Sequence, residues 1–319
     1  MGIYQQTYLS SEGIFNNSRS IIIMRILFVA DIHGNMHVVD KIEGLGNSQE
    51  FDLLLIAGDI APKMLAPVIN YGSMIVAKTP RGDIKFETEK EAIAYKEFLL
   101  RQGYVSWYGS AEDFYALDKK DYVFKVQKNV TRQIMEILSN AFPNMFVILG
   151  NDDDPRIATV IPEKVNLNEK VIEFMGKEIF GFPYVKPTPF HSNFEIEEGE
   201  IGKRLNKLID KIGDVKNSIW LFHSPPYNSG LYMCQQLDEN LKPVWRDGQR
   251  VFTYAGSKAI RLAIEESSNS SFTLLSESFV SSFLIFSLDI SPTFVYKDEE
   301  TSPIFFDSIF SPYLVFICS

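Results

Sequence analysis

Four apolar runs, Ile26–Ala30, Leu53–Ala57, Phe146–Leu149 and Ile219–Phe222, constrain this chain most. They are continuous rather than alternating, as strands are when both faces of a sheet are covered. Each leads directly into a short polar motif: Asp31-Ile32-His33, Gly58-Asp59, Gly150-Asn151-Asp152-Asp153 and His223-Ser224-Pro225-Pro226. Helical spacing separates the runs. Thr88 and Glu91 form a capping-box pattern that opens a helix to about Leu100. Val123, Val126, Val130, Ile134, Ile137 and Leu138 keep helical spacing up to Phe142. Ile201, Leu205, Leu208, Ile209 and Ile212 mark another helix, and Ser257 to Glu266 a further one. A hairpin signal covers Val171 to Phe182. Strand alternating with helix means an α/β architecture, with ligands at the carboxyl ends of the strands. The four motifs fall there.

The motifs supply carboxylate, imidazole and amide donors, a set suited to divalent metals. Asp31 and His33 can share one ion if the turn points both inward, and Asp59 can bridge two ions with its two oxygens. Asn151 adds a carbonyl oxygen and His223 an imidazole nitrogen. Two metals about 3.5–4 Å apart bind a phosphate ester and acidify a water that attacks phosphorus in line. Each motif also has an ordinary reading. Gly-Asp is most often a turn, Gly-Asn-Asp a turn or a cap, and His223 a satisfied strand-end histidine. Four successive strand ends favour the metal reading.

Composition narrows the classes. The chain has 319 residues, 45% apolar and 23% charged, as in a globular protein. A net charge of −10 argues against a nucleic-acid surface but not against a small phosphorylated substrate, since metal reverses the local sign. Two cysteines, Cys234 and Cys318, make no disulfide framework, so a reducing cytoplasm is the simplest compartment. No membrane span is expected.

Asp31-x-His33, Gly58-Asp59, Gly150-Asn151 and His223-x-Pro225 resemble the successive signatures of calcineurin-like metallophosphoesterases. The resemblance covers about residues 24–266 and is closest to small prokaryotic members. It implies a four-layer αββα sandwich and two divalent metal ions, commonly Mn, Fe, Zn or similar. It implies that Asp31 and His33 bind the first metal, that Asp59 bridges, and that Asn151 and His223 bind the second.

Two departures stand out. Many members have Gly-Asn-His, the His assisting the leaving group; here that place is Asp152. Asp152 or Asp153 then protonates the leaving group or orients water, or the run Asp152–Asp154 caps a following helix. The family also ends its site with Gly-His-x-His. The four histidines here are His33, His37, His191 and His223, so that motif is absent. His37 is expected to face outward from the first helix. His191, in the loop 183–194, is a candidate for a substrate wall.

The expected organisation is a polar extension at 1–23, a metallophosphoesterase domain at 24–266 with a helical insertion at about 70–140, and a Ser/Phe-rich tail at 267–319. The tail holds one basic residue, Lys297, and no Gly or His, which suggests a frame-shifted or otherwise replaced C-terminus that is poorly ordered. The region from Lys78 to Tyr115 is a candidate lid or partner surface. The expected function is hydrolysis of a phosphate mono- or diester. The competing expectation is a catalytically weak scaffold, like the retromer subunit of this family, which the missing motif favours.

Overall fold

The computed structural model describes residues 24–269, except 81, 230–232 and 239, together with 315–317. The chain opens with β1 (Ile26–Val29), α1 (Met36–Asn47) and β2 (Leu53–Ala57). An excursion follows: β3 (Met64–Asn70), β4 (Ile75–Thr79), β5 (Gly82–Phe86), α2 (Glu89–Arg101), β6 (Tyr104–Ser110) and α3 (Ala111–Ala116). Then come α4 (Lys119–Ala141), β7 (Met145–Ile148), β8 (Val171–Phe174), β9 (Lys177–Phe182), α5 (Glu198–Ile209) and β10 (Ser218–Phe222). The last elements are β11 (Met233–Gln235), β12 (Trp245–Arg246), β13 (Gln249–Arg250), β14 (Phe252–Tyr254), α6 (Lys258–Asn269) and β15 (Val315–Ile317).

Side-chain alternation along the strands sorts these elements into layers. β1, β2 and β7 form one parallel sheet, with Phe28 opposite Leu55 and Leu55 opposite Phe146. Leu54 and Ile56 of β2 pack under α1 and α4, with Val39, Ile42, Ile134 and Leu138. Their neighbours Leu53, Leu55 and Ala57 point the other way, onto Ile179, Ile219 and Leu221 of the second sheet. That sheet joins β8 and β9 antiparallel, β9 and β10 parallel, and β10 and β15 antiparallel. Its outer face carries Phe180, Phe182, Trp220 and Phe222 against Ile201, Leu205 and Ile260 of α5 and α6. The order is helix, sheet, sheet, helix: the four-layer αββα sandwich.

The sheets approach closely at Gly181. A Cβ there would lie 2.3 Å from Ile148 Cγ2 and 2.6 Å from the Leu167 carbonyl. The β8–β9 turn uses Met175 (φ 50°) and Gly176 (φ 74°), the two left-handed positions of a type I′ hairpin.

The excursion corrects one expectation. The expected helical insertion at about 70–140 does carry α2, α3 and most of α4, but its first part is built on a four-stranded sheet, ordered β5-β4-β3-β6, with α2 packed on it. The capping box of α2 forms as expected, Glu91 N donating to Thr88 Oγ1 and Thr88 N to Glu91 Oε2. The sequence signal of these strands is weak for physical reasons. Pro67 weakens the strand pattern of β3, and β5 is exposed and carries little apolar signal. The helix α4 belongs instead to the main core.

The expectations for 1–23 and for the stretch beyond 269 fall outside the described residues, β15 apart. Among the described residues no helix is long and apolar enough to cross a membrane.

Two measurements check this account. Gly181→Ala should lower the unfolding free energy by about 1–3 kcal/mol in urea melts, because the sheets cannot part locally. Glu198 accepts from Lys258 N, Ala259 N and Ser257 Oγ at the start of α6. Burial opposes its ionisation, yet these bonds hold the carboxyl below its ordinary 4.5. A depressed folded value means stability present above 4.5 and lost as pH falls through the folded value. Glu198→Gln should therefore lower Tm at about pH 7 and lower it progressively less towards about pH 3.

Candidate metal centre

The loops after β1 and β2 run side by side. Asp31 N donates to the Gly58 carbonyl (3.1 Å), His33 N to that of Asp59 (2.8 Å) and Gly34 N to that of Ile60 (2.7 Å). Asp31 (φ 54°), His33 (φ 46°) and Asp59 (φ 51°) all adopt left-handed backbone. For non-glycine residues this costs about 1–3 kcal/mol each and persists only where the surroundings impose it. Here the inter-loop bonds impose it. The excursion adds support from the other side: the left-handed Gly103 (φ 87°) lies so close that a Cβ would meet the His33 carbonyl at 2.2 Å.

Asp59 is buried at the centre. Its Oδ2 lies 3.8 Å from His33 Nε2 and its Oδ1 lies 3.6 Å from His223 Nε2. Asp31 Oδ1 stands 3.9 Å from the same His33 nitrogen. Ligand atoms of Asp31, Asp59 and His223 fall within 4.8 Å of one another, as do those of His33, Asp59 and Asp152. The two groups share Asp59. Gly150 makes this possible, since a Cβ there would lie 2.2 Å from Asp59 Oδ1.

A family model described as Calcineurin-like phosphoesterase matches residues 24–248. The chain belongs to this family. It is similar to an uncharacterized protein of Methanocaldococcus jannaschii, 28% identical over 137 residues, 42% of this chain and 56% of the other. The chain thus spans about half the length of the curated relative it matches. A crystal structure aligns with a TM-score of 0.42 at 12% identity, over 76% of this chain and 80% of that one. That likeness is too slight to bear on function.

The donor set of this calcineurin-like phosphoesterase fits metal. The Ala57 carbonyl accepts from His223 Nδ1 (2.8 Å), so the Nδ1 proton is committed there. Ser192 Oγ donates to Glu195 Oε1 (2.6 Å) and therefore accepts from Asn151 Nδ2 (3.0 Å). That fixes the amide with Oδ1 towards His223 Nε2, 2.9 Å away. Two acceptor atoms then converge beside a third, Asp59 Oδ1. A divalent ion would satisfy the contact with the lone pairs of all three.

The electrostatics also call for cations. Burial, with repulsion from Asp152 and Asp153, holds the Asp59 carboxyl well above the usual range. Burial, reinforced by the Lys63 ammonium, pushes the His33 imidazole down to about 3, leaving a neutral ring able to ligate. Asp152 is different. Burial opposes its charge, but Lys63, 2.9 Å from Oδ2, outweighs it and keeps the carboxyl below the usual range.

The structure brings Asp31, His33, Asp59, Asn151, Asp152 and His223 together. It corrects the catalytic role considered for Asp153. That carboxylate is 0% exposed and accepts from Gly150 N (2.9 Å), Ala61 N (2.9 Å) and Ile60 N (3.3 Å), so it is a structural anchor. The capping role falls to Asp154, which accepts from Arg156 N (2.9 Å) at the short 3₁₀ turn Pro155–Val160. His37 is exposed on α1. His191 is exposed in its loop, where the neighbouring Ser192, rather than His191, reaches Asn151. Neither Ser192 nor Lys63 stands out in the sequence as a site residue. For Lys63 the available signal was its position four residues after Asp59, on the same loop.

Asp153→Ala should lower the unfolding free energy by about 2–4 kcal/mol, since three backbone donors lose their acceptor. Asp152→Ala should change it by less than about 1 kcal/mol. Urea melts of the two variants check the contrast.

Proposed function

We propose that this protein hydrolyses a phosphate mono- or diester with a pair of divalent ions such as Mn, Fe or Zn. One observation carries the reading: the buried Asp59 turns one oxygen towards His33 and the other towards His223, on separate strand ends. A carboxylate so placed is a bridge between two positions. When bound, the ions supply Lewis-acid polarisation of the phosphoryl oxygens and a water acidified towards neutral pH.

The chain's own residues hold and orient. Asp31 and His33 serve one position, Asn151 and His223 the other. The Ala57 carbonyl sets the His223 ring, and the Ser192–Glu195 pair sets the Asn151 amide. Asp152, kept ionised beside Lys63, acts as an acceptor that orients water rather than as an acid. The loop 183–194, with the exposed His191, forms a wall for a small phosphorylated substrate. A weakly active or inactive scaffold is the second reading, favoured by the lack of any histidine beyond His223.

The test is Mn-dependent hydrolysis of mono- and bis-nitrophenyl phosphate by the wild type and by Asp59→Asn. The expected result is a loss of at least about 100-fold in the variant with its fold retained. Equal rates in both proteins would favour the scaffold.

A further inference from the structure

The excursion sheet ends on an open edge, within the stretch Lys78 to Tyr115 that the sequence marks as a candidate lid or partner surface. β5 is the outer strand, and among the described residues only β4 pairs with it. Gly82, Asp83, Ile84 and Lys85 are all exposed. The side chains sort by face. Phe86 lies on the face that α2 covers, with Ile75 and Ala77. Ile84, two positions earlier, belongs to the same face and is 39% exposed. Tyr95 and the 50% exposed Phe98 extend the apolar surface beside it, through ring contacts Phe86–Tyr95 (5.2 Å) and Tyr95–Phe98 (5.5 Å). Asp83 and Lys85 belong to the other face, where Asp83 pairs with Lys78 of β4. An edge strand with its outer backbone groups unpaired is a template for another strand.

We propose that two copies of this chain join β5 to β5, antiparallel, across a two-fold axis at Ile84. A two-fold interface is self-complementary, and the sequence of β5 meets that demand. With the Ile84 side chains opposite each other, Asp83 of each copy opposes Lys85 of the other. Each Asp83 then stands between its own Lys78 and the Lys85 of the second copy, while the two isoleucines join the apolar faces under α2. Charge also selects the register. Moving the axis by one residue, to Asp83 or to Lys85, sets like charges directly opposite, which is destabilising. Charges on an edge ordinarily deter pairing; in this order they favour one pairing over its neighbours. The pairing joins two four-stranded sheets into one. β6, which follows Gly103 beside His33, is the opposite edge of the sheet, so the interface does not use the strand next to the metal centre.

The experiment is sedimentation velocity of the full chain at concentrations up to about 100 μM. Five residues pair on each side, a small interface, so the wild type should be a reversible dimer with a Kd of about 1–100 μM. Asp83→Lys and Lys85→Asp each set like charges opposite one another across the axis. Each should weaken self-association by at least about tenfold. An equimolar mixture of the two variants restores opposite charges at both positions and should dimerise as the wild type does. The mixture also separates a lost interface from a lost fold, since a misfolded variant is not rescued by the other. A wild type that stays monomeric throughout leaves the edge to a different partner and overturns the inference. A dimer indifferent to both single variants, or variants whose mixture stays monomeric, overturns it as well.

Discussion

The carboxylate of Asp153 ties together the two loops on which the centre depends. It accepts from Ile60 and Ala61 after β2 and from Gly150 after β7. Those donors flank Asp59 on one side and Asn151 on the other. With the loops so clamped, Gly150 lies against Asp59, and Asp152 N reaches Asp59 Oδ1 at 2.8 Å. The central carboxylate is therefore aimed by backbone on both sides. A buried acid with three N–H donors suits this role because each donor would otherwise be left unsatisfied away from water.

The same clamp concentrates negative charge. Asp31, Asp59, Asp152 and Asp153 meet where the first sheet ends, and burying like charges together opposes their ionisation. Cations resolve the conflict. Lys63 resolves part of it within the chain, and the convergence of His223, Asn151 and Asp59 acceptors leaves a place for more. The left-handed backbone of Asp31, His33 and Asp59 belongs to the same arrangement. Their strain is sustained by bonds between the loops and by Gly103, which brings the excursion sheet against His33. The excursion is thus part of the site's support as well as a neighbouring surface.

Beneath the loops, the sandwich keeps the strand ends in place. Leu53, Leu55 and Ala57 are shared between the sheets, and Gly181 allows them to approach. His223 follows β10 of the second sheet yet bonds to Ala57 of the first. Sheet packing and ring orientation are consequently one constraint: a shift between the layers would move the imidazole away from Asp59.

The sequence by itself determined the strands β1, β2, β7 and β10, the helices around them, and the order of the donors at their ends. Those features are local. A continuous apolar run, a capping box such as Thr88 with Glu91, and a polar turn after a strand each act over a few residues. Tertiary structure decided what those residues do. Asp152 and Asp153 are neighbours of one type, yet one meets Lys63 and the other three backbone donors. Ser192 fixes an amide 41 positions away, and the partner of Lys63 is 89 away. The excursion strands needed pairing to reveal them, since Pro67 and the exposed β5 hide their apolar pattern. Burial and contact across the chain assign these roles, and neither quantity is written in local spacing.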